Sequence, residues 1–522
     1  MVNQILINVI LFFGVILLYK YTRHGIHMLQ LESYFNSRYF KWLKKNLLSV
    51  FNISKIALLI IPVVLAFINQ TLVGLILEII AVLLLIITTK KKPEKKPLVV
   101  TARVKRMYAT YIILYILVVV LANLLPVQYG LLILNSILIL SYLMIIVVNV
   151  INSPVEKLIK QKFINQAKKK LKETPGLKVL GITGSYGKTS TKYALNSILS
   201  QRYNTLMTPE SYNTTMGVVR TINEKLNSTH NLFICEMGAK NIGDIKEITD
   251  IVHPTYGMLT AIGPQHLDTF KSIENVAKTK MELLDSLPLN TGIAFVNWED
   301  ENIRKQKLDK KTIKFGLSKE CDYYAKEISI NERGSQFEVV MPNNKVLSVK
   351  TKLLGKLNIL NIVGAIAVAD KLGLSETEIQ AGVRCLKTVP HRLALNQNAN
   401  GSIIIDDAYN SNIKGAEMAL EVLKNFEKRK RVLITPGIVD LGVRSDEINT
   451  KLGEMAADSS DYIILVGPKQ AVPIMKGLQN KKYPQDKTFI AKNLNEALSQ
   501  MSKVVDSKSV VLFENDLPDN YL

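Results

Sequence analysis

The sequence predicts an N-terminal all-α transmembrane region followed by two α/β domains, the first with a mostly parallel sheet. Two observations support this fold class. Long apolar runs separated by basic loops fill the first 152 residues, which is typical of proteins that cross a membrane several times. From residue 178 onward, short strand-like segments alternate with helix-like segments, and this alternation is typical of α/β layers.

The membrane region contains about five apolar runs, most of which approach the ~20 residues that a spanning helix needs. They lie at 4–19, 48–68, 71–89, 108–125 and 130–151. The second run is interrupted by Lys55 and Pro62. Glu78 lies inside the third run, where an acidic residue is a candidate for a lipid-binding or helix-contact role.

The charge distribution indicates a membrane partner rather than nucleic acid. Residues 1–172 hold 22 Lys or Arg against 4 Asp or Glu, so they carry +18 of the net charge of +22. This excess lies next to the apolar runs, and positively charged loops stay in the cytoplasm. Five spans then predict a multi-pass protein of the cytoplasmic membrane. Its N-terminus would lie outside, and everything after residue 152 would lie in the cytoplasm, where ATP is available.

The chain accordingly divides into four predicted parts, of which residues 1–152 are the transmembrane region. Residues 153–175 are basic and helix-like, and we expect this juxtamembrane connector to lie against anionic lipid. Residues 176–390 form a central α/β domain. A break near Val389-Pro390 separates it from a Rossmann-like C-terminal α/β domain at 391–522.

A glycine-rich segment marks the start of the central domain. It stands between an apolar run and a helix-like run and reads Gly181-Ile182-Thr183-Gly184-Ser185-Tyr186-Gly187-Lys188-Thr189-Ser190. A strand, such a turn and a helix N-terminus form a P-loop, whose backbone N–H groups point at phosphates. Lys188 would reach the β- and γ-phosphates, and the Thr189 hydroxyl would bind Mg²⁺. Ile182 stands where the standard spacing has its first glycine, so the segment is a variant, and the alternative is an ordinary turn.

The variant resembles the phosphate loop of the Mur ligase family, whose members are ATP-dependent amide ligases of cell-wall peptide synthesis. Further motifs that resemble the family follow in its order. They are Ile234-Cys235-Glu236-Met237-Gly238-Ala239, Gly263-Pro264-Gln265-His266-Leu267-Asp268, Ala277-Lys278-Thr279-Lys280-Met281-Glu282, Asn358-Ile359-Leu360-Asn361, His391-Arg392-Leu393 and Asp406-Asp407-Ala408-Tyr409-Asn410-Ser411-Asn412. The resemblance covers about residues 176–515 and is nearest the branch that adds D-alanyl-D-alanine.

The resemblance implies ATP and two Mg²⁺ ions as cofactors, and an acyl phosphate as intermediate. The site needs cations because a carboxylate approaches a polyanion in the first step. The implied catalytic residues are Lys188, His266, Lys280 and Arg392. The implied metal ligands are Thr189, Glu236, His266 and Lys280, the last of them carbamylated. The implied nucleotide contacts are Gly184, Ser185, Gly187, Lys188, Thr189, Ser190, Asn358, Asn361, Asp407, Tyr409 and Ser411.

Some of these residues have a plain structural alternative. Asp407, Tyr409 and Ser411 alternate with period two, as the residues of any strand do. Asn213-Thr214, which the resemblance places in contact with substrate, follows Pro209 and also fits an ordinary turn.

The sequence departs from the family at both ends. The membrane region occupies the place of the soluble UDP-binding domain, so the donor, a peptide or muramyl-peptide acid, is a candidate for lipid linkage. Glu514, Asp516 and Asp519 stand near a position where a Lys-Gly-Ser run is usual, which leaves the amino acid or dipeptide amine open. The alternatives are a γ-glutamyl or pseudomurein-type peptide ligase, and a non-catalytic nucleotide-binding membrane scaffold. Membrane lipids are expected partners, and nucleic acid is not.

Overall fold

The chain forms two compact units, Met1–Gln161 and Lys162–Leu522, and each has hydrophobic core clusters of its own. The computed structural model describes residues 2–89, 97–210, 212–265, 267–331, 334–388, 393–398, 400–408, 413–439, 441 and 444–515.

The first unit is all-α in its described residues. Its helices are α1 (Val2–Leu31), α2 (Asn36–Lys45), α3 (Leu47–Val50), α4 (Ile53–Phe67), α5 (Thr71–Thr88), α6 (Ala102–Asn123), α7 (Val127–Ile139) and α8 (Ser141–Lys172), which continues past the end of the unit. Four stretches are long and apolar enough to cross a membrane: Ile5–Leu31, Thr71–Thr88, Ala102–Asn123 and Ser141–Lys172. Helices α4 and α7 are apolar but shorter, with 15 and 13 residues.

Two of the predicted apolar runs differ from the helices in the structure. The run at 48–68 yields a long helix only from Ile53, because the Asn52 side chain accepts a hydrogen bond from Ser54 N (2.9 Å) and caps α4. The run at 130–151 divides at Leu140 between α7 and α8. The described residues therefore contain four candidate spans by length, where the sequence predicts about five.

Polar and small residues fix contacts between the apolar helices. A Cβ on Gly74 of α5 would lie 2.7 Å from the Pro62 carbonyl oxygen of α4, so the glycine permits close packing. Glu78 of α5 is 1% exposed and accepts a hydrogen bond from Asn135 Nδ2 of α7 at 3.0 Å. Glu78 thus takes part in a helix contact, one of the two roles expected from the sequence.

The second unit begins with a nine-stranded sheet in the order β2-β3-β1-β4-β5-β6-β7-β8-β9. Its strands are β1 (Lys178–Thr183), β2 (Thr205–Met207), β3 (Leu232–Glu236), β4 (Tyr256–Leu259), β5 (Ile293–Asn297), β6 (Lys311–Gly316), β7 (Tyr323–Asn331), β8 (Gly334–Met341) and β9 (Lys345–Thr351). Pairing is parallel from β2 to β7 and antiparallel between β7, β8 and β9. The helices are α9 (Lys188–Leu199), α10 (Thr215–Lys225), α11 (Asp244–Val252), α12 (Leu267–Phe270), α13 (Ile273–Asp285), α14 (Glu301–Arg304), α15 (Lys356–Lys371) and α16 (Glu376–Arg384).

A second sheet of six strands has the order β10-β11-β15-β12-β13-β14 and is parallel except for the β10–β11 pair. Its strands are β10 (Ala394–Gln397), β11 (Ile403–Asp407), β12 (Lys430–Thr435), β13 (Tyr462–Val466), β14 (Thr488–Ala491) and β15 (Ser509–Glu514). The helices are α17 (Ile413–Lys424), α18 (Ser445–Ser459), α19 (Pro468–Asn480) and α20 (Leu494–Val504). The prediction of α/β layers with mostly parallel sheets is confirmed.

The central strand β1 shows how the first sheet is covered on both faces. Leu180 and Ile182 point to a core cluster that includes Ile198 of α9. Val179, the residue before Leu180, belongs to the opposite cluster, which includes Leu283 of α13. A parallel sheet buried on both faces leaves its carboxyl edge as the place for polar side chains. The turns after β1, β3 and β4 meet at that edge, because β1 pairs with both β3 and β4.

Candidate active site

The turn between β1 and α9 has a shape that requires glycine at two positions. Gly187, the N-cap of α9, has a φ of 81°, and Gly184 has a φ of 155°. A Cβ on Gly184 would overlap Thr260 Oγ1 and would lie 2.9 Å from Ala261 N. A Cβ on Gly187 would lie 3.0 Å from Asn361 Oδ1. The turn therefore places backbone without side chains next to the N-terminus of α9, where the helix dipole favours an anion.

Ser185 holds this turn against the loop after β4. Its N–H donates to the Ala261 carbonyl at 2.7 Å. Its hydroxyl donates to Gly263 O at 3.0 Å and accepts from Gly263 N at 2.9 Å. The residue was predicted to contact the nucleotide, and the structure shows it bonded to protein through both its backbone and its side chain.

Lys188 folds back over the turn that precedes it. Its Nζ donates to the carbonyl oxygens of Gly184 and Ser185, the second at 3.3 Å. Ser190, in the same first turn of α9, is half-buried. The ammonium group thus lies beside the turn and is a cation available to an anion held there.

Glu236 ends strand β3 and is the polar centre of the site, with 1% exposure. Its Oε1 accepts hydrogen bonds from Thr189 Oγ1 at 3.2 Å and Asn213 Nδ2 at 3.0 Å. Its Oε2 accepts no hydrogen bond from a described residue, although Lys192 Nζ lies 3.0 Å away as an ion pair. A buried carboxylate oxygen with a free lone pair, next to a hydroxyl, is an oxygen donor set that suits Mg²⁺. These residues therefore fit the implied metal.

Lys192 is a site residue that the sequence analysis missed. It lies one turn after Lys188 on α9, is 0% exposed, and donates to the Glu210 carbonyl in addition to pairing with Glu236. Glu210 has a φ of 40°, which is uncommon for a residue with a side chain. A signal was present in the sequence: Lys192 shares the apolar face of α9 with Leu195, where lysine is found only when paired.

The segment after β2 carries the two predicted substrate residues, which differ in role. Asn213 bonds to Glu236, and its carbonyl accepts from Gly238 N at 2.7 Å. A Cβ on Gly238 would lie 2.7 Å from Asn213 Oδ1, so the glycine permits this approach. The Thr214 hydroxyl instead accepts from Gly217 N at 3.3 Å and caps α10. Asn213 lies at the site, and the contact found for the Thr214 side chain is a helix cap.

Lys280 of α13 is 2% exposed, and no hydrogen bond or ion pair links it to another described residue. Burial, and then the positive charge of Lys188, lower the pKa of Lys280 well below its usual value. Glu282 and Asp244 oppose this shift only in part. Because desolvation disfavours the ammonium form, the neutral amine is favoured, and a neutral amine is nucleophilic.

The two predicted asparagines of α15 are not equivalent. Asn361 lies under the turn, where its Oδ1 accepts from Thr191 Oγ1 at 3.1 Å. Its buried Nδ2 has no hydrogen-bond partner among the described residues, so it is a donor available to a ligand. Asn358 Nδ2 donates to the Leu354 carbonyl of its own segment at 2.8 Å.

The C-terminal domain contributes fewer described residues to the predicted site. Asp407 ends β11, and its Oδ1 accepts from Leu393 N at 3.1 Å. Glu514, at the end of β15, is 0% exposed, which rules out a solvated tail at that position. The remaining predictions, His266, Arg392, Tyr409, Ser411, Asp516 and Asp519, lie outside the described residues.

The fold and the site define a class: a two-domain α/β protein with a glycine-rich turn at the carboxyl edge of a parallel sheet. Residues 182–369 match the Mur ligase middle domain, and residues 391–514 match the Mur ligase glutamate ligase domain. The chain is 31% identical over 332 residues to UDP-N-acetylmuramoyl-tripeptide–D-alanyl-D-alanine ligase of Escherichia coli (strain K12), across 63% of this chain and 72% of that protein. The chain belongs to the Mur ligase family, and it is an ATP-dependent, ADP-forming ligase that makes amide bonds.

Solved structures of MurF enzymes share the fold. MurF from Acinetobacter baumannii superimposes with a TM-score of 0.62 at 27% identity, over 68% of this chain and 77% of that one. MurF from Thermotoga maritima in complex with ADP has a TM-score of 0.60 at 25% identity, over 68% and 80%. The family matches begin at residue 182, and the N-terminal helical region stands where family members have their UDP-binding domain.

Proposed function

We propose that this chain is a membrane-bound, MurF-like ligase that joins a peptide acid to an amine through an acyl phosphate. The carboxylate oxygen of the acid attacks the γ-phosphorus of ATP, and ADP leaves. The amine nitrogen then attacks the acyl carbon, phosphate leaves, and the nitrogen gives up a proton. The observation that carries this proposal is the glycine-dependent turn with Lys188 beside Thr189 and Glu236.

The chain's own groups supply binding and charge. We assign the turn a P-loop role, in which the N-terminus of α9 and Lys188 bind the β- and γ-phosphates. Arg392 adds a second cation toward the transferred phosphoryl group. Thr189 and Glu236 would hold one Mg²⁺, and His266 with Lys280 the other. These ions would neutralise negative charge on the phosphates.

Lys280 is the residue we assign to carbamylation. Its amine is buried, has no described protein partner, and has a lowered pKa. A neutral amine adds to CO₂ and releases a proton, which converts a cation into a carboxylate-like oxygen ligand. The negative carbamate would also attract the ammonium group of Lys188.

The nucleotide's adenosine end is assigned to α15 and to the Rossmann-like C-terminal domain. Asn361 offers an unbonded buried Nδ2 beside Gly187. Asn358 is its predicted partner on α15. Asp407 stands at the carboxyl end of β11, the edge at which open α/β sheets bind ligands, and Tyr409 and Ser411 follow it in sequence.

The membrane assignment rests on the four candidate spans and the basic residues beside them. We propose a multi-pass protein of the cytoplasmic membrane with the N-terminus outside and the ligase unit in the cytoplasm. This orientation needs an odd number of crossings, so we propose the shorter apolar helix α4 as the fifth. With cysteines introduced singly on a Cys385→Ser background, an impermeant reagent added outside should label Gln70→Cys or Gln128→Cys but not Lys45→Cys. Labelling only Lys45→Cys would invert the topology.

Our proposal for the donor and the acceptor rests on the named substrates of the relatives and on the helical region that stands in place of the UDP-binding domain. The E. coli relative is named for a UDP-muramoyl tripeptide and D-alanyl-D-alanine, so we propose a muramyl-peptide acid and a dipeptide amine. The helical region in place of the UDP-binding domain favours a lipid-linked donor. A γ-glutamyl or pseudomurein-type ligase is the second candidate. A pseudomurein peptide ligase of Methanothermus fervidus, with a TM-score of 0.51 at 17% identity, shares the fold alone.

Phosphate release by the purified full chain tests this function. The assay crosses UDP-linked and lipid-linked peptide acids with D-alanyl-D-alanine and single amino acids. We expect release only with both an acid and an amine, and a loss of about 10²–10³-fold in Lys188→Ala, because one preorganised electrostatic partner is removed. Lys278→Ala, an exposed lysine of α13, is the matched control. Absence of phosphate release with every acid and amine would instead support the non-catalytic nucleotide-binding scaffold.

A further inference from the structure

A cavity lies within the helical unit, between the start of α4 and the junction of α7 with α8. It is a crevice open to one side, and its volume of about 310 Å³ includes the open space at its mouth. Its polar lining comes from Tyr21, Asn52, Lys55, Ser141 and Tyr142. The rest of the lining is apolar, including Leu59 and Leu138, and no acidic residue lines it.

Ser141 is the first sign that a ligand belongs in this cavity. The residue is 1% exposed, and its Oγ has no hydrogen-bond partner among the described residues. Buried hydroxyl groups in folded proteins are nearly always bonded, because an unsatisfied one loses its hydration without compensation. A ligand oxygen in the cavity would satisfy this hydroxyl.

Lys55 is the second sign, because it gives the cavity a positive charge. It lies in the first turn of α4, and its Nζ is 5.9 Å from the centroid of the Tyr21 ring. No ion pair joins it to an acid among the described residues. A half-buried ammonium without an acidic partner, in a lining that lacks carboxylates, favours an anionic ligand over a neutral or cationic one.

The apolar part of the lining restricts the ligand further. Leu59 and Leu138 are buried wall residues. On either side of the lining segment at 50–52, Leu48 and Ile53 are 83% and 77% exposed. A free anion gains nothing from such surroundings, whereas an anion attached to acyl chains buries apolar surface. Exposed apolar side chains next to a lysine in the first turn of a helix are suited to the level of the lipid headgroups in a bilayer.

We propose that this cavity binds the phosphate headgroup of an anionic lipid. Lys55 Nζ and Ser141 Oγ donate hydrogen bonds to phosphate oxygens, and the Leu59–Leu138 wall contacts the start of the acyl chains. This site lies wholly within the helical unit and does not depend on the ligase function, so either can fail without the other. A lipid bound there would bridge the start of α4 to the α7–α8 junction.

Native mass spectrometry of the full chain in a neutral detergent tests the site with three probes. Dioleoyl phosphatidic acid carries both phosphate and chains, dioleoylglycerol carries chains alone, and glycerol 3-phosphate carries the headgroup alone. We expect phosphatidic acid to bind at least about tenfold more tightly than either fragment, because a charge-assisted hydrogen bond is lost in one and the apolar contact in the other.

Matched variants locate the binding. Lys55→Gln and Ser141→Ala should each weaken phosphatidic acid binding about tenfold, because each removes one hydrogen bond to a charged phosphate oxygen. Lys45→Gln, an exposed cation of α2, and Ser136→Ala, a half-buried hydroxyl that donates to the Leu132 carbonyl within α7, should bind as the wild type does. Ser141→Ala removes one atom from an unbonded group, so it keeps the test valid should Lys55→Gln fail to fold.

Three results would overturn the proposal. Equal losses in Lys45→Gln and Lys55→Gln would show general surface attraction to anionic lipid. Equal binding of dioleoylglycerol would show that the phosphate is not recognised. Equal binding of glycerol 3-phosphate would show a phosphate site that takes no lipid.

Discussion

Helices α9 and α13 of the ligase unit each bury a lysine, and the two lysines differ in their surroundings. On α9, Lys192 Nζ lies 3.0 Å from Glu236 Oε2 and donates to the Glu210 carbonyl. On α13, Lys280 has no hydrogen bond or ion pair to a described residue, and Lys188 is a positive neighbour. A buried ammonium group is tolerated when it is paired, and otherwise its neutral form is favoured.

This difference separates a positioning residue from a reactive one. The Lys192 ammonium joins α9, the end of β3 and the segment that carries Asn213. It can therefore orient the Glu236 carboxylate and the segment beside it without touching the substrate. The amine of Lys280 is bonded to none of its described neighbours and is available for covalent chemistry.

The largest expected effect is on the stability of Lys192→Met. Breaking a buried ion pair by removing one partner leaves an uncompensated charge, so we expect a loss of about 3–5 kcal/mol in unfolding free energy. The chain has two tryptophans, one in each unit, Trp42 and Trp298. Denaturant titration followed by Trp298 fluorescence on a Trp42→Phe background reports on the ligase unit alone.

The double variant Lys192→Met/Glu236→Gln supplies the control. It removes both charges, so it should recover part of the stability that the single variant loses, while ligation remains lost with the carboxylate. Additive losses would show that the two groups do not interact, and Lys192 would then have no positioning role through Glu236.

The second expected effect is on the activity of Lys280→Ala. If the carbamate holds a metal ion, ligation should fall about 10²–10³-fold, as it does when one preorganised charge partner is removed. Added short carboxylates such as acetate or propionate should restore part of the rate, because they can supply the missing oxygen ligand. Steady-state phosphate release measures both.

Lys278→Ala, two residues earlier on the exposed face of α13, should retain the wild-type rate with or without carboxylate. Full activity of Lys280→Ala would remove its metal role. An inactive variant that no carboxylate rescues, and whose unfolding free energy is normal, would show that Lys280 acts as an amine.

The parts of the site that the sequence could predict lie in contiguous motifs. The glycines of the turn, Lys188 and Glu236 were predictable because they lie at or shortly after the carboxyl ends of two strands, and parallel strands end at one edge. The helical first unit was predictable from apolar length and charge. Its helix ends were not, because the Asn52 cap and the break at Leu140 are local features inside apolar runs.

The remaining features depend on contacts between distant segments. Lys192 meets Glu236 across 44 residues of sequence, and Thr191 meets Asn361 across 170. The spacing of apolar residues along a helix predicts that these side chains are buried, but it does not predict which distant residue each one contacts. The same holds for Ser185, whose hydroxyl bonds to the backbone of Gly263, 78 residues further along the chain. His266, Arg392, Tyr409 and Ser411 stay predictions from their motifs.

The smallest expected effect is a pH dependence of the unfolding free energy that the wild-type protein shows and the Lys280→Met variant lacks. The pKa of Lys280 is lowered in the folded chain from its ordinary value of 10.5. Between the folded and unfolded pKa values the unfolded chain therefore binds more protons, so the unfolding free energy rises as pH increases through that window. The slope contributed by one group is at most about 1.4 kcal/mol per pH unit. It ends near pH 10.5, where the unfolded lysine also loses its proton.

Denaturant titrations of wild type and Lys280→Met in CO₂-free buffer, again followed by Trp298, measure this slope as a difference. Bicarbonate should raise the wild-type unfolding free energy, because the carbamate forms on the folded, neutral amine and not on the unfolded ammonium, and it should leave Lys280→Met unchanged. Parallel pH profiles for the two proteins would mean that Lys280 is solvated or paired in the folded chain. The contrast between the lysines of α9 and α13 would then disappear, and with it the reason to expect a carbamate at this position.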